Sequence, residues 1–290
     1  MENRGEKLVT WLFKTEALKV CPGNKPFWYT SGTIGPYYIN THFLYGSEKK
    51  ANELLKFIDS EKENVFEFPV KLTELLKANY RSDEIYKGLI DEMCKFIEEN
   101  IDIDEIDYIS GGERRDWFFS PIIADMLKKP HIYIYKDMKA YFHEGTEVKE
   151  AESIQGKKVL HIADLITEAS SYERNWIPAV RDLEGVLKWS TVVVDRKQGG
   201  KELLESFKVT SLAMITVDNE LFDSALSQGL INLEQYAMIL NFIENPRESM
   251  KKFLESHPEF LENALVSDDK TRARAELCIQ KDIYGLKEEK

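Results

Sequence analysis

The sequence predicts an α/β fold: a mostly parallel sheet of about five strands flanked by helices, preceded by an N-terminal segment and followed by a helical C-terminal extension. Three observations carry that expectation. Short runs rich in β-branched residues recur near positions 107, 131, 159, 190 and 209, and helical patterns alternate with them. Three of these strands run into residues of the kind that line a ligand crevice: Gly111-Gly112, Asp164, and Asp195 followed by Gly199-Gly200. Beyond residue 217 the strand patterns stop, and Leu233, Tyr236, Leu240 and Ile243 recur at helical spacing, implying packing on the core or on a second subunit. The expected organisation is an N-terminal helix and aromatic-rich segment over 1–47, a helical insertion over 48–105, the α/β core over 106–217 and the helical extension over 218–290.

Residues 5–19 predict an amphipathic helix through Leu8, Leu12, Ala17 and Leu18, ended by Cys21-Pro22-Gly23-Asn24. FWYTSGTIGPYYIN (27–40) follows, and alternation at Tyr37, Ile39 and Thr41 predicts an extended strand. Residues 48–105 are highly charged and mostly helical by period, with a stripe at Ile85, Leu89, Met93, Phe96 and Ile97. DYIS (107–110) opens the sheet and leads into GGERR (111–115). A glycine pair lets the backbone approach a ligand closely, and the guanidinium groups of Arg114 and Arg115 suit phosphate. A helix is expected over 117–127, then the strand HIYIY (131–135). The polar run 136–155 reads as a mobile loop.

GKKVLHIADLITEASS (156–171) is the centre of the pattern. It reads as a buried strand (Val159, Leu160, Ile162) ending at Asp164, then a turn of Thr167, Ala169, Ser170 and Ser171, then a helix from about Tyr172, interrupted by Pro178. A carboxylate beside such a turn suits a phosphorylated sugar: the acid takes ribose hydroxyls and the N–H groups of the turn take the phosphate. Residues 189–195 form the next strand, ahead of Arg196-Lys197-Gln198-Gly199-Gly200, and 209–217 the last.

Composition narrows the function. With 43% hydrophobic and 31% charged residues, the 290-residue chain reads as a soluble globular protein. A net charge of −12 argues against general nucleic-acid binding, which needs basic surface, while leaving room for a small phosphorylated ligand in a local basic pocket. No apolar run approaches the length of a membrane span. Glu2, Arg4, Glu6 and Lys7 precede any apolar run, unlike a signal peptide. Cys21, Cys94 and Cys278 are odd in number and widely spaced, which predicts a reduced, cytoplasmic setting. The five histidines form no ligand-like cluster.

Taken in order, SGTIGPYYIN (31–40), the 156–171 stretch and VVVDRKQGG (192–200) resemble the orotate phosphoribosyltransferases of the type I phosphoribosyltransferase family. The likeness runs from about residue 8 to 216 and is interrupted by the 48–105 insertion, whose extra material lies around 61–82 and reads as decoration with no chemistry ahead of an added dimer surface or lid. The resemblance implies transfer of ribose 5-phosphate from phosphoribosyl pyrophosphate (PRPP) to a pyrimidine-like base, with Mg²⁺ carried by PRPP and pyrophosphate released. It implies a homodimer with a hood over the base, Tyr37 and Tyr38 stacking on that base, and Arg196 pairing with it. It also implies that Arg114 and Arg115 hold pyrophosphate, that Lys136, Lys139 and His143 belong to a mobile catalytic loop, that Asp164 binds ribose, and that Thr167, Ala169, Ser170 and Ser171 bind the 5′-phosphate.

Five positions depart from the family pattern. Thr30 replaces a lysine, Tyr135 an arginine, and Ala163 the first of two acids, at a cost of ~1.5–3 kcal/mol for one charged hydrogen bond. Glu168 and Ala169 stand where threonine and glycine are usual, and a carboxylate ~4 Å from a phosphate charge costs about 4 kcal/mol at an effective dielectric near 20. These departures define the alternative: a homologue without catalysis, acting as a nucleotide-binding, regulatory or scaffold protein.

Overall fold

The computed structural model describes residues 3–23 and 25–286; Glu2 and Asn24, invoked above, lie outside them. The chain opens with α1 (Arg4–Lys14), four short strands β1 (Leu18–Val20), β2 (Phe27–Trp28), β3 (Ile34–Gly35) and β4 (Tyr37–Ile39), and a 3₁₀ turn, Thr41–Tyr45. Helices α2 (Glu48–Glu61), α3 (Phe68–Ser82) and α4 (Glu84–Asn100) fill the insertion. The core then runs β5 (Tyr108–Gly112), α5 (Ser120–Met126), β6 (His131–Ile134), β7 (Ala140–Glu144), β8 (Glu147–Glu150), β9 (Lys158–Ile166), α6 (Ile177–Asp182), β10 (Val186–Asp195), α7 (Gly200–Ser206) and β11 (Thr210–Thr216). Five helices close the chain: α8 (Asn219–Ser227), α9 (Leu233–Glu244), α10 (Pro246–Ser256), α11 (Pro258–Leu265) and α12 (Asp269–Gln280).

Two compact units result. The first joins α1 to Thr41–Val217, and the second joins residues 18–40 to the helices after residue 217. The first contains a seven-stranded sheet of order β11-β10-β9-β5-β6-β7-β8. Its first five strands are mutually parallel, as the α/β pattern predicts, and β7 and β8 are antiparallel additions at the edge. In the second unit Trp28 and Ile34 are buried with Met250, Phe253, Leu254 and Ala264, and the Tyr284 hydroxyl accepts the Ile34 N–H at 2.8 Å.

Several elements differ from the sequence reading. The first helix stops at Lys14. Glu16 turns the chain with φ +58°, and Leu18–Val20 pairs antiparallel with Tyr37–Ile39, so Ala17 and Leu18 are buried without being helical. Thr41 belongs to the 3₁₀ turn, not to the strand. Residues 136–155 are not a loose loop. A tight turn over 136–139, closed by the Tyr135 N–H donating to the Lys139 carbonyl, leads into the β7–β8 hairpin, pinned by buried Tyr141 and Phe142. The helix expected over 117–127 starts as the 3₁₀ turn Asp116–Phe118. Pro178 sits in the first turn of α6, after a π-helical turn at Tyr172–Trp176, because a first-turn residue needs no N–H. In α9 the buried residue is Ile239, with Met238 and Phe242 beside it, whereas Leu233 is 74% exposed.

The insertion packs into the core of the first unit. Phe68, Leu72 and Leu76 of α3 are fully buried, Phe68 packs on Trp117 (5.4 Å between ring centroids), and the Tyr86 hydroxyl of α4 donates to the Phe118 carbonyl at 2.5 Å. The three free cysteines are buried, and no helix among the described residues is long and apolar enough to cross a membrane.

Candidate functional site

A cavity of about 350 Å³ opens beyond the carboxyl ends of β5 and β9. One wall is the 113–116 loop and Lys136; the other is Ala163, Asp164 and the turn through Ser171, with Tyr172 and Trp176 behind. The strand ends produce this crevice, and their residue types shape it. A Cβ on Gly112 would fall 2.3 Å from the Trp176 ring, so only glycine lets that indole close the cavity floor.

The 167–171 turn has an unusual supply of donors. The N–H groups of Thr167, Glu168, Ala169, Ser170 and Ser171 meet no acceptor among the described residues. Ala169 is left-handed at φ +54°. The turn is braced from behind: the Arg196 N–H donates to the Ile166 carbonyl (3.0 Å) and the Gly200 N–H to the Thr167 carbonyl (2.9 Å). A Cβ at Gly200 would lie 2.6 Å from that Thr167 oxygen, so the second glycine of the GG pair acts by close packing.

Cationic groups line the same cavity. Arg115 is exposed and its guanidinium makes no ion pair among the described residues; Lys136 is likewise exposed. Arg114 is already engaged by Asp59 of α2. Glu113 is held by the Lys62 ammonium (2.6 Å) and the Lys136 N–H (3.1 Å), so the insertion fixes the arginine loop. Tyr135 also belongs to this support, donating its hydroxyl to the Lys62 carbonyl at 3.0 Å. Glu168 lines the cavity but is exposed and makes no hydrogen bond among the described residues, so it does not occupy the N–H groups of the turn.

Asp164 is 7% exposed. Burial first, and the neighbouring Asp116 second, push its carboxyl up to about 7, with Arg115 opposing them. A carboxyl raised in the folded state stabilises the fold fully below its unfolded value, and that contribution is lost as pH rises through the folded value. Urea unfolding at pH 5 and pH 8 is therefore expected to show wild type losing roughly 2 kcal/mol more than Asp164→Asn across that window. Equal pH dependence of the two proteins would refute the burial argument.

Of the residues picked out in the sequence, the cavity gathers Arg114, Arg115, Lys136, Asp164, Thr167, Ala169, Ser170 and Ser171. It does not gather Lys139, which is exposed and paired with Asp137 at 3.3 Å. Nor does it gather His143, which is buried on β7 opposite His131 and hydrogen-bonded through Nε2 to the Gly145 carbonyl (3.1 Å). The physical reason is the hairpin: residues expected on a loose loop are fixed in strand pairing. Arg196 is half-buried, its Nε has no partner, and it does not line the cavity. Tyr37 and Tyr38 belong to the second unit. There Tyr37 packs on Phe222 and Phe242 (5.3 and 5.7 Å), and the Tyr38 hydroxyl donates to the Trp28 carbonyl (2.6 Å).

Sequence reasoning missed Asp116, Glu113 and Trp176. For Asp116 one signal was available, an acid four residues past a strand-ending glycine and directly before an aromatic run.

No family model matches the sequence. Two curated proteins named orotate phosphoribosyltransferase are similar to it. The one from Sulfolobus acidocaldarius is 25% identical over 217 residues, covering 75% of this chain and 88% of the relative. The one from Staphylothermus marinus is 23% identical over 245 residues, covering 84% and 97%. Among solved structures, Leishmania donovani UMP synthase superimposes with a TM-score of 0.54 at 17% identity, over 82% of this chain and 41% of that one, a likeness of fold.

Proposed function

We propose that this chain, which is similar in sequence to orotate phosphoribosyltransferases and has the type I phosphoribosyltransferase fold, transfers ribose 5-phosphate from PRPP to a pyrimidine-like base and releases pyrophosphate. One observation carries the reading: five backbone N–H groups without acceptors among the described residues, the cationic side chains Arg115 and Lys136, and a buried carboxyl line one cavity. Successive N–H groups of a turn form an anion site. The 5′-phosphate fits the 167–171 turn, the ribose hydroxyls fit Asp164, and the pyrophosphate fits Arg115 and Lys136. Fixed positive charge there stabilises the charge that builds on the leaving group.

Mg²⁺ enters this scheme on PRPP oxygens. No group of three or more metal-ligating side chains converges among the described residues, so no protein ligand is assigned to it, and when bound it neutralises pyrophosphate charge. Pairing of the base with Arg196, stacking on Tyr37 and Tyr38, a homodimer and a cytoplasmic setting complete the proposal, each resting on the resemblance.

Calorimetric titration with PRPP, with and without Mg²⁺, tests it. The expected result is micromolar, Mg²⁺-dependent binding, followed by pyrophosphate release with one member of a pyrimidine-base series. Absence of binding at millimolar PRPP would overturn the transferase reading and favour the non-catalytic homologue. Because Glu168 is exposed, its charge acts through water, where a pair ~4 Å apart is worth about 1 kcal/mol. Glu168→Gln is therefore expected to tighten PRPP about fivefold.

A further inference from the structure

The ladder between β5 and β9 ends at Ser110 and His161, where the two parallel strands diverge to make the cavity. Beyond that point one side chain spans the gap. Asp116 accepts the Gly112 N–H at Oδ2 (3.0 Å) and the Asp164 N–H at Oδ1 (3.2 Å), one donor from each strand. Its Oδ2 also receives His161 Nε2 at 3.3 Å. A carboxylate can only accept there, so Nε2 carries the ring proton, and Nδ1 accepts the Ser110 hydroxyl at 2.9 Å.

We propose that Asp116 is the positioning residue of this cavity: its carboxylate replaces the missing ladder between two splayed strands, and in doing so sets a fixed negative charge beside the Asp164 carboxyl. Both Asp116 oxygens are occupied by protein donors, so it does not reach for ligand. Asp164, whose backbone it holds, does. Three side chains bear on the Asp164 carboxyl: Asp116 from the turn before α5, Arg115 from the preceding loop, and the Tyr172 phenol, which also meets the His161 ring. Glu113, Arg114, Lys136 and Glu168 also line the cavity. Burial first, and the Asp116 charge second, oppose ionisation of Asp164, and among the nearest side chains Asp116 is the one whose charge does so.

The assignment deepens the proposed transfer site, but its test needs no substrate, so a failure of PRPP binding leaves it standing. The ¹³C carboxyl resonances of the ligand-free full chain are followed from pH 4 to 9, with Asp164 identified by its loss in Asp164→Asn. Wild-type Asp164 is expected to titrate near neutrality, and Asp116→Asn to lower that midpoint by about one unit or more. A merely structural Asp116 would change the unfolding temperature and leave the midpoint where it was. An unmoved midpoint, or a wild-type Asp164 that titrates as an ordinary carboxylate, overturns the proposal. If Asp116→Asn does not fold, wild-type hydrogen exchange decides: joint protection of the Gly112 and Asp164 amides supports the clamp, and exchange of either at the free rate refutes it.

Discussion

Replacing Trp117 with alanine is expected to destabilise the protein by about 3–5 kcal/mol, the range for removing a large aromatic side chain from a packed core. Trp117 is fully buried, its indole N–H donates to the Gly111 carbonyl at 2.9 Å, and its ring meets Phe68, Tyr133 and Tyr135 at 5.0–5.4 Å. Truncation leaves a cavity between α3 and the sheet and removes the indole hydrogen bond to a carbonyl one residue from the site floor. Urea unfolding measures the loss directly. Leu233→Ala, at a position 74% exposed, is the matching control and should change stability by no more than ~0.5 kcal/mol. A small effect at Trp117 would mean that the insertion is not part of the core.

The second large effect is expected at Arg115. Reversing its charge removes one favourable pair with a bound phosphate and adds one repulsive pair. Arg115 is exposed, so each pair ~4 Å apart acts through water and is worth about 1 kcal/mol, and Arg115→Glu should weaken PRPP binding by about 30-fold. Arg114→Glu should do less, because Asp59 already neutralises that guanidinium. Titration calorimetry on both variants checks the order. Equal losses would show that the Asp59 pair opens for ligand, and no loss at Arg115 would remove the pyrophosphate assignment.

Five parallel strands and their order of appearance were legible in the sequence because burial on both faces enforces near-continuous apolar runs such as those around Val159 and Val192. The phosphate turn was legible too: Asp164, Thr167 and Ser170 are adjacent in sequence as well as in space. What remained hidden depends on distant partners. Lys139 and His143 carry loop-like chemistry, but residues 140–143 pair in register with β6 and are buried, and strand pairing overrode the polarity of the run. Asp116 looks like an ordinary turn acid until the divergence of β5 and β9 gives its two oxygens two donors. Leu18 fits a helical stripe only while its strand partner, Ile39, is out of view.

The discontinuous second unit has a consequence for how the chain is made. Trp28 and Ile34 are translated early, yet the helices that cover them come more than 200 residues later. Contacts of such separation are slow to form, since loop-closure entropy must be met before they contribute. During synthesis the sheet of the first unit can complete once residue 216 emerges, while residues 18–40 wait as an uncovered apolar segment. A nascent chain with residues up to about 220 emerged from the ribosome should therefore display a protease-resistant core and a cleavable 18–40 segment, and that segment is where a chaperone would be engaged.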